Sequence, residues 1–148
     1  MIRRISADEA QPLRAAILRP DSPFEASVYP LDYDADALHV GAFEGCELVS
    51  VASIFHEPIP GETNPKAWRL RGMVTLPEKQ RRGYGRAVLL NCIAHIAGEG
   101  GTLLWCNARI DAVDFYRSLQ FETVGGEEQT ERGTSYIRMR RAVTTNDL

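Results

Sequence analysis

A basic, glycine-containing turn between a predicted strand and a predicted helix constrains the fold more than any other stretch of the chain. The turn is Gln80–Gly85, with the sequence Gln-Arg-Arg-Gly-Tyr-Gly. The apolar run Trp68–Thr75 before it is typical of a strand, and apolar residues recur at helical spacing over 84–97. A helix N-terminus attracts phosphate through its unpaired N–H groups and its dipole, and glycine lets a ligand approach the backbone closely. The stretch therefore indicates either a phosphate-binding turn or a solvated basic turn that caps an ordinary helix.

Two well-known phosphate loops do not fit this turn. A P-loop requires Lys-Ser or Lys-Thr, and neither pair occurs in the chain. A dinucleotide fingerprint requires a third glycine at the position of Val88. The remaining pattern, Gln/Arg-x-x-Gly-x-Gly/Ala, resembles the coenzyme A pyrophosphate loop of the GNAT superfamily, the acyl-CoA-dependent N-acyltransferases. A second segment, Ala112–Phe121, resembles that family's Ala-x-x-Phe-Tyr-x-x-x-Gly-Phe pattern, with Gln120 where glycine is usual.

Length and composition predict a single domain over residues 1–148. Hydrophobic content of 44% and charged content of 25% are ordinary for a soluble globular protein. The net charge of −3 argues against a nucleic-acid binder, and no apolar stretch has the length of a membrane span or a leader. The three cysteines lie far apart in apolar runs, so buried free thiols, a cytoplasmic location and no metal site are expected; they are Cys46, Cys92 and Cys106.

The order of the predicted elements matches the fold of the GNAT superfamily, which implies an α/β (α+β) fold with a mixed central sheet of about six to seven strands and about four helices. Two local features of the strands are also predicted. Glu44-Gly45 predicts a two-residue hairpin turn that pairs His39 near Ser50, and Gly72 predicts a bulge or a close backbone approach. The predicted strands are Ile2–Ile5, Leu38–Phe43, Cys46–Phe55, Trp68–Thr75, Thr102–Cys106, Phe121–Val124 and Thr134–Val143.

Predicted helices occupy 7–19, 84–97 and Asp111–Leu119. Ser6 and Glu9 have the spacing of a capping box for the first, in which Pro12 tolerates only an early position. The segment 21–36 is expected to be irregular, with one helical turn. It either lines a substrate pocket or is a surface connection. The turn between the last two strands is rich in glycine and glutamate, and the tail 144–148 is expected to be frayed.

The resemblance implies that acetyl-CoA is the co-substrate and lies where the strands Trp68–Thr75 and Thr102–Cys106 splay apart. The amide-rich pantetheine arm would pair with free backbone groups like an added strand. An N–H near Val74 would stabilise the oxyanion that develops when an acceptor amine attacks the acetyl carbonyl. The arginines of the turn would add charge suited to the pyrophosphate. The residues implied to contact the coenzyme on this side are Met73, Val74, Thr75, Gln80, Arg81, Arg82, Gly83, Tyr84, Gly85 and Arg86.

Tyr116 stands where the family places a tyrosine that protonates the departing CoA thiolate. A phenol suits this role because it is neutral at pH 7 and donates a directed hydrogen bond. Taken without the turn, Phe115 and Tyr116 would be interpreted as core aromatics. Many members also have an asparagine seven residues before the tyrosine that touches the coenzyme. That position is Arg109 here, with Asn107 two residues earlier, so either side chain is expected to make the contact.

The sequence leaves the general base open. Some family members carry a glutamate on the strand before the turn, and the corresponding residue here is Arg69. Arg69 and Arg71 are predicted to share one strand face, which either borders the acceptor cleft, favouring an acceptor with a carboxylate or phosphate, or covers an exposed sheet edge. Because Arg69 offers no carboxylate at that position, a water relay or a residue from another segment would deprotonate the amine. The candidates are Glu25, Asp32, Asp34, Glu57, Glu62, His39, His56 and His95, of which His95 is expected to be a solvated surface residue.

Three functions compete at this stage. The first is an acetyl-CoA-dependent N-acetyltransferase that acts on a small-molecule or protein amine, as a monomer or homodimer. The second is a catalytically weak or inactive acyl-CoA-binding or regulatory module of the same fold, which Arg69 and Gln120 leave open and Tyr116 argues against. The third is a nucleic-acid binder that uses the basic turn; it lacks an aromatic stacking platform there, and the net charge disfavours it.

Overall fold

The centre of the protein is a seven-stranded mixed sheet, in the strand order β1-β2-β3-β4-β5-β7-β6. The computed structural model describes residues 1–130 and 133–148. Neighbouring strands are antiparallel except for β4 and β5, which are parallel. The sheet confirms the predicted fold class. The strands are β1 Ile2–Ile5, β2 Leu38–Glu44, β3 Glu47–Phe55, β4 Ala67–Thr75, β5 Leu103–Arg109, β6 Glu122–Gln129 and β7 Ser135–Ala142.

Three α-helices accompany the sheet in the described residues, fewer than the predicted four or so: α1 Ala7–Leu13, α2 Tyr84–Gly98 and α3 Val113–Arg117. The predicted capping box starts α1, since Ser6 Oγ accepts from the Glu9 N–H and Glu9 Oε1 accepts from the Ser6 N–H. Pro12 lies near the end of α1 rather than early in it, and a π-helical turn follows over Arg14–Leu18.

The other two helices differ from their predictions only in length. A 3₁₀ turn over Ile110–Ala112 takes the first part of the predicted third helix, and α3 is correspondingly short. The segment 21–36 contains one 3₁₀ turn, Phe24–Ser27, as predicted. In residues 1–130 and 133–148, no helix is both long enough and apolar enough to span a membrane.

The two faces of the sheet are covered by different helices. On one face, α2 and α3 pack against the sheet in the main hydrophobic cluster, which contains the five predicted apolar positions of α2, Val88, Leu89, Cys92, Ile93 and Ile96. On the other face, α1 contributes Ala10 to a cluster that includes Val51 and Val74. Burial on both faces explains why Val51, Ala52, Ile54 and Phe55 at the end of β3 are all apolar.

The predicted register of the β2–β3 hairpin is wrong. Glu44 pairs with Glu47, so the two turn residues are Gly45 and Cys46 rather than Glu44 and Gly45. Gly45 takes the positive φ of 60° that such turns require at their first position. A register shift beside Ala42 adds a further residue, and His39 therefore lies opposite Ser53 instead of Ser50. Cys46 is exposed in this turn, contrary to prediction, whereas Cys92 and Cys106 are buried free thiols as predicted.

The C-terminal region is more ordered than the sequence indicated. β6 continues through Gly125 and Gly126, with a register shift between Val124 and Glu128 that accommodates the glycines. Residues 131 and 132, part of the predicted turn, lie outside the described residues. The tail is not frayed: Thr144 caps a 3₁₀ turn, and Asp147 accepts from the buried Arg141 at 2.7 Å. The sequence of β7 gave no signal for this ion pair.

The strands β4 and β5 are paired at only three positions, Ala67 with Leu103, Trp68 with Leu104 and Arg69 with Trp105. Beyond Arg69, β4 continues beside β3 while β5 continues beside β7. The two parallel neighbours therefore diverge toward their carboxyl ends. This divergence confirms the splayed strands that the resemblance implied.

Gly72 lies where β4 passes a buried arginine. Its φ is 64°, and the register of β3 and β4 shifts beside it, which confirms both the bulge and the close approach. A Cβ at this position would lie 2.8 Å from Nε of Arg14 and 3.2 Å from Cε2 of Tyr29. Arg14 cannot retreat easily, because its guanidinium is fully buried and forms two bonds to Asp32, of 2.7 and 2.9 Å.

We expect Gly72→Ala to destabilise the protein more than Gly45→Ala does. Both residues have a positive φ, so each substitution costs about 1–2 kcal/mol of backbone strain. Only Gly72 adds a steric conflict, worth a further ~1–3 kcal/mol, because nothing lies within 4 Å of a Cβ at Gly45. Urea unfolding of both variants measures the difference, and equal losses of unfolding free energy would contradict the tight packing of Gly72 against Arg14.

Candidate active site

The backbone of β4 faces two different neighbours at the point where the strands diverge. The Leu76 N–H donates to the Val49 carbonyl at 2.9 Å, and Ser50 Oγ donates to the Val74 carbonyl at 3.1 Å. Val74 and Leu76 therefore present their backbone groups to β3. Because these groups alternate along a strand, those of Met73 and Thr75 face the gap on the β5 side. The structure thus places an open strand edge beside the predicted phosphate turn.

The turn after β4 contains two residues in the left-handed conformation. A 3₁₀ turn over Pro77–Lys79 is followed by left-handed conformations at Arg81, with φ 64°, and at Gly83, with φ 87°. Gly83 is the N-cap of α2 and has no side chain to accept from the first N–H groups of the helix. These donors are available to a ligand. The positive φ at Arg81, a residue type that disfavours it, is a local strain typical of ligand-binding turns.

Glu44, at the end of β2, holds one side of the turn. Its carboxylate accepts from Lys79 Nζ at 2.8 Å and from the Tyr84 hydroxyl at 2.6 Å, and it lies 3.6 Å from Arg82 Nη1. Hydrogen bonds from Lys79 and then from Tyr84 lower the pKa of the Glu44 carboxyl. Arg81 and Arg86 are exposed and have no carboxylate within 4 Å in the described part of the chain. Their charges are available to an anion.

Gly85 brings the first turn of α2 against the open edge of β4. A Cβ at Gly85 would lie 3.3 Å from Cε of Met73 and 3.4 Å from Oγ1 of Thr75. On the same stretch, Gln80 Nε2 donates to the Thr75 carbonyl at 3.3 Å. The helix N-terminus and the open strand edge are therefore adjacent, and a ligand anchored at the turn can continue directly along β4.

Tyr116 closes the gap from the α3 side. It lines a cavity of about 140 Å³ with Met73, Cys106 and both predicted β5 residues. Burial, with a smaller contribution from Cys106, raises the pKa of the phenol well above its usual value. Edge contacts with Phe115 and Phe121, at ring-centroid distances of 5.2 and 5.3 Å, fix the ring. The phenol therefore stays protonated at neutral pH, next to the open edge of β4.

Asn107 and Arg109 both line this cavity, and both also line a larger one, so their positions do not decide between the two predicted contacts. Asn107 Oδ1 accepts from Arg138 Nε at 3.2 Å. Arg109 Nη2 donates to the Leu18 carbonyl at 3.2 Å, which ties β5 to the π-helical turn. Their common orientation follows from their spacing of two residues on β5.

The larger cavity, of about 540 Å³, lies between β4, β5 and the segment after α1. Arg69 and Arg71 both line it, so this part of β4 borders a cavity rather than an exposed sheet edge, while Leu70 between them packs into the main hydrophobic cluster. The segment 21–36 contributes as a pocket wall, one of the two alternatives that the sequence left. Sequence reasoning missed several residues of the wall, namely Arg19, Asp21, Ser22, Tyr29 and Tyr136; only the aromatic content of 21–36 signalled any of them.

Two of the proposed bases belong to the buried network around Arg14. Burial alone would raise the pKa of Asp32, but hydrogen bonds from Arg14, Gln11 and the Tyr29 N–H outweigh it and lower the pKa. His39 Nε2 donates to the Asp32 carbonyl at 2.9 Å, and Nδ1 accepts from Ser53 Oγ at 2.6 Å. Burial lowers the pKa of this imidazole. Both groups therefore hold the 21–36 segment in place.

The other proposed bases lie outside the larger cavity. Glu57 is 3.4 Å from Arg69 Nη1, and Asp21 is the carboxylate that lines the cavity in the described residues. His95 is half-buried rather than simply solvated, since its ring makes an edge contact with Trp68, on which His56 is stacked. Glu25, Asp34 and Glu62 are exposed and do not line either cavity.

Comparison with known proteins supplies the family. Residues 21–143 match the model of the acetyltransferase (GNAT) domain. The chain belongs to the GNAT family. A relative from Bacillus subtilis (strain 168), the uncharacterized N-acetyltransferase YitI, is 31% identical over 124 residues, which cover 84% of this chain and 83% of that protein.

Solved GNAT structures share the fold. The ribosomal-protein-S18-alanine N-acetyltransferase from Escherichia coli superposes with a TM-score of 0.75 at 17% identity, over 97% of this chain and 94% of that one. An aminoglycoside 6'-N-acetyltransferase complexed with coenzyme A gives a TM-score of 0.76 at 15% identity, over 97% of both chains. At these identities the likeness shows that this chain has the GNAT fold. It does not show that this chain uses the acceptors named for those proteins.

Proposed function

We propose that this GNAT protein is an acetyl-CoA-dependent N-acetyltransferase. The observation that carries the proposal is the open edge of β4 at Met73 and Thr75, which begins beside the α2 N-terminus and ends beside Tyr116. A ligand that fits this path has an anionic end, an extended arm with amides and a reactive group at the far end. Acetyl-CoA has these parts in this order.

The geometry of the turn and of β4 supports the following coenzyme contacts. Backbone N–H groups of Arg81–Arg86 bind the pyrophosphate, with Arg81 and Arg86 adding charge. The pantetheine amides pair with the backbone of Met73 and Thr75, as an added strand would. Because Val74 faces β3, the N–H that stabilises the oxyanion belongs to its neighbour Met73 rather than to Val74 itself.

The transfer proceeds by direct attack. An acceptor amine enters from the larger cavity and attacks the acetyl carbonyl beside Met73. The C–N bond forms as the C–S bond breaks, and Tyr116 donates its phenolic proton to the departing thiolate. The proton lost by the amine passes to Asp21 or to a water, because Arg69 replaces the glutamate of some relatives. Tyr116 regains its proton from solvent in the next cycle.

A catalytically inactive acyl-CoA-binding module is the second candidate. Arg69, at the position of the missing glutamate, favours it. Gln120 gives it less support than the sequence indicated, since Gln120 adopts a φ of 72° and so keeps the left-handed conformation for which glycine is usual. Turnover of acetyl-CoA with a panel of amines separates the two candidates: an inactive module would bind the coenzyme and release no CoA thiol.

We expect Gly83→Val to weaken CoA binding at least about tenfold, because its branched side chain would occupy the space in front of the α2 N-terminus and strain a left-handed residue. Gly100→Val is the matched control, with a φ of 77° and open space around its Cβ, but at the opposite end of α2. Calorimetric titration with CoA measures both variants. Unchanged affinity in folded Gly83→Val would contradict the placement of the pyrophosphate.

We expect Tyr116→Phe to lower kcat by about 10²- to 10⁴-fold, because it removes the proton donor and keeps the ring. The KM for acetyl-CoA should change much less. Tyr33→Phe is the control, since Tyr33 is exposed on the 21–36 segment and lines neither cavity. The comparison requires conditions in which a burst experiment shows that chemistry limits the rate. Wild-type turnover of folded Tyr116→Phe under those conditions would leave Tyr116 with a packing role alone.

A further inference from the structure

The larger cavity carries an excess of positive charge. Four arginines line it, namely Arg19, Arg69, Arg71 and Arg109, against the single described carboxylate of Asp21. Its volume of about 540 Å³ suits a small molecule. Since the chain as a whole has a net charge of −3, this concentration of cations is local to the cavity. Cations gathered in a cleft attract and orient an anionic ligand.

Arg71 differs from its neighbour Arg14 in having no anionic partner among the described residues. The two guanidinium groups lie against the same ring, each with Cζ 4.0 Å from the centroid of Tyr29. Asp32 neutralises Arg14 with two hydrogen bonds. No described carboxylate lies within 4 Å of Arg71, although burial, and then the charge of Arg69, lower the pKa of the Arg71 guanidinium. A half-buried charge without a counter-ion is stabilised by binding an anion.

Two further donors of the same wall lack partners within residues 1–130 and 133–148. Arg69 Nε is buried without a hydrogen-bond acceptor, and the contact of Arg69 Nη1 with Glu57 is long, at 3.4 Å. Ser22 Oγ is also buried and has no hydrogen-bond partner, and Ser22 lines the cavity opposite β4. Buried donors are nearly always satisfied in the functioning protein, so unpaired donors in a cavity wall point to a ligand that supplies the acceptors.

We propose that the acceptor amine carries an oxyanion, a carboxylate or a phosphate, and that Arg71 binds it with help from Arg69 and Ser22. This inference rests on the proposed function and names its acceptor class. Arg71 borders both cavities and precedes Met73 by two residues, or about 7 Å along β4. An oxyanion on Arg71 therefore orients the amine of a short acceptor toward the acetyl group. Asp21 provides the one described negative charge near the ammonium.

Binding of paired probes to the protein saturated with CoA tests the proposal. One pair is 2-aminoethyl phosphate and 2-aminoethanol, and the other is β-alanine and β-alaninamide. In each pair, calorimetry compares an amine that carries an oxyanion with its neutral counterpart. We expect at least one oxyanion to bind about 10- to 100-fold more tightly than its counterpart, the range for hydrogen bonds to a charged group. The pair with the larger difference in affinity shows whether the site prefers a phosphate or a carboxylate.

Arg71→Gln should abolish this preference, and Arg71→Lys should retain part of it, because lysine keeps the charge and loses the planar pair of donors. Arg3→Gln is the matched control, since Arg3 lies on β1 at the far edge of the sheet, where it pairs with Glu9. Arg69→Gln should cause a smaller loss of the oxyanion preference. It replaces Arg71→Gln in the test if Arg71→Gln does not fold. Unchanged CoA affinity in each variant shows that the coenzyme site is intact.

The outcomes separate this inference from the proposed function. A wild-type protein that fails to bind CoA contradicts the proposed function. A protein that binds CoA but shows no oxyanion preference in either pair, including the case in which no probe binds, contradicts the acceptor class alone. A preference that survives in folded Arg71→Gln, or in Arg69→Gln if Arg71→Gln does not fold, contradicts the assignment to these residues.

Discussion

The site depends on an interruption of strand pairing inside the sheet. Buried backbone N–H and carbonyl groups are almost always paired, and in a sheet the neighbouring strand supplies the partners. After Arg69, β4 keeps β3 on one side and loses β5 on the other, while β5 remains paired with β7. The result is a row of backbone groups that faces a gap in the middle of the protein. A ligand with amides of its own is the natural partner for such an edge.

The rest of the structure holds that edge in position. The α2 N-terminus lies at one end of the gap and Tyr116 at the other, both fixed by the main hydrophobic cluster. On the opposite face, the buried Arg14 joins Asp32, Ser27 and Ser53, and so ties the 21–36 segment to β3 and supports the bulge at Gly72. An ion pair of this kind contributes mainly by fixing geometry, since its desolvation offsets much of its attraction. The larger cavity adjoins the gap between β4 and β5, since Arg71, Gly72, Asn107 and Arg109 line both cavities.

The sequence predicted those parts of the fold that depend on local patterns. The strand before the turn and the helix after it were predicted correctly, because glycine spacing and apolar periodicity are short-range signals. The splay of β4 and β5 was implied by the GNAT resemblance alone. The register of β2 and β3 was predicted wrongly, since the position of Gly45 in the turn and the bulge beside Ala42 shift the pairing of His39 by three residues. Arg14 was not predicted either, because a single arginine in a helix gives no sign that a distant aspartate will bury it. The cavity wall at Ser22 and Tyr136 brings together segments more than a hundred residues apart.

The most direct test of the central claim is residue-resolved amide hydrogen exchange, measured by NMR with and without CoA. The account predicts that CoA slows exchange at Met73 and Thr75, whose N–H groups face the gap, and at the first residues of α2. Exchange at Leu76, whose N–H is already paired with Val49, should change much less. If saturating CoA left Met73 and Thr75 unprotected, or protected only residues outside the gap between β4 and β5, the claim that this open edge binds the coenzyme would be contradicted.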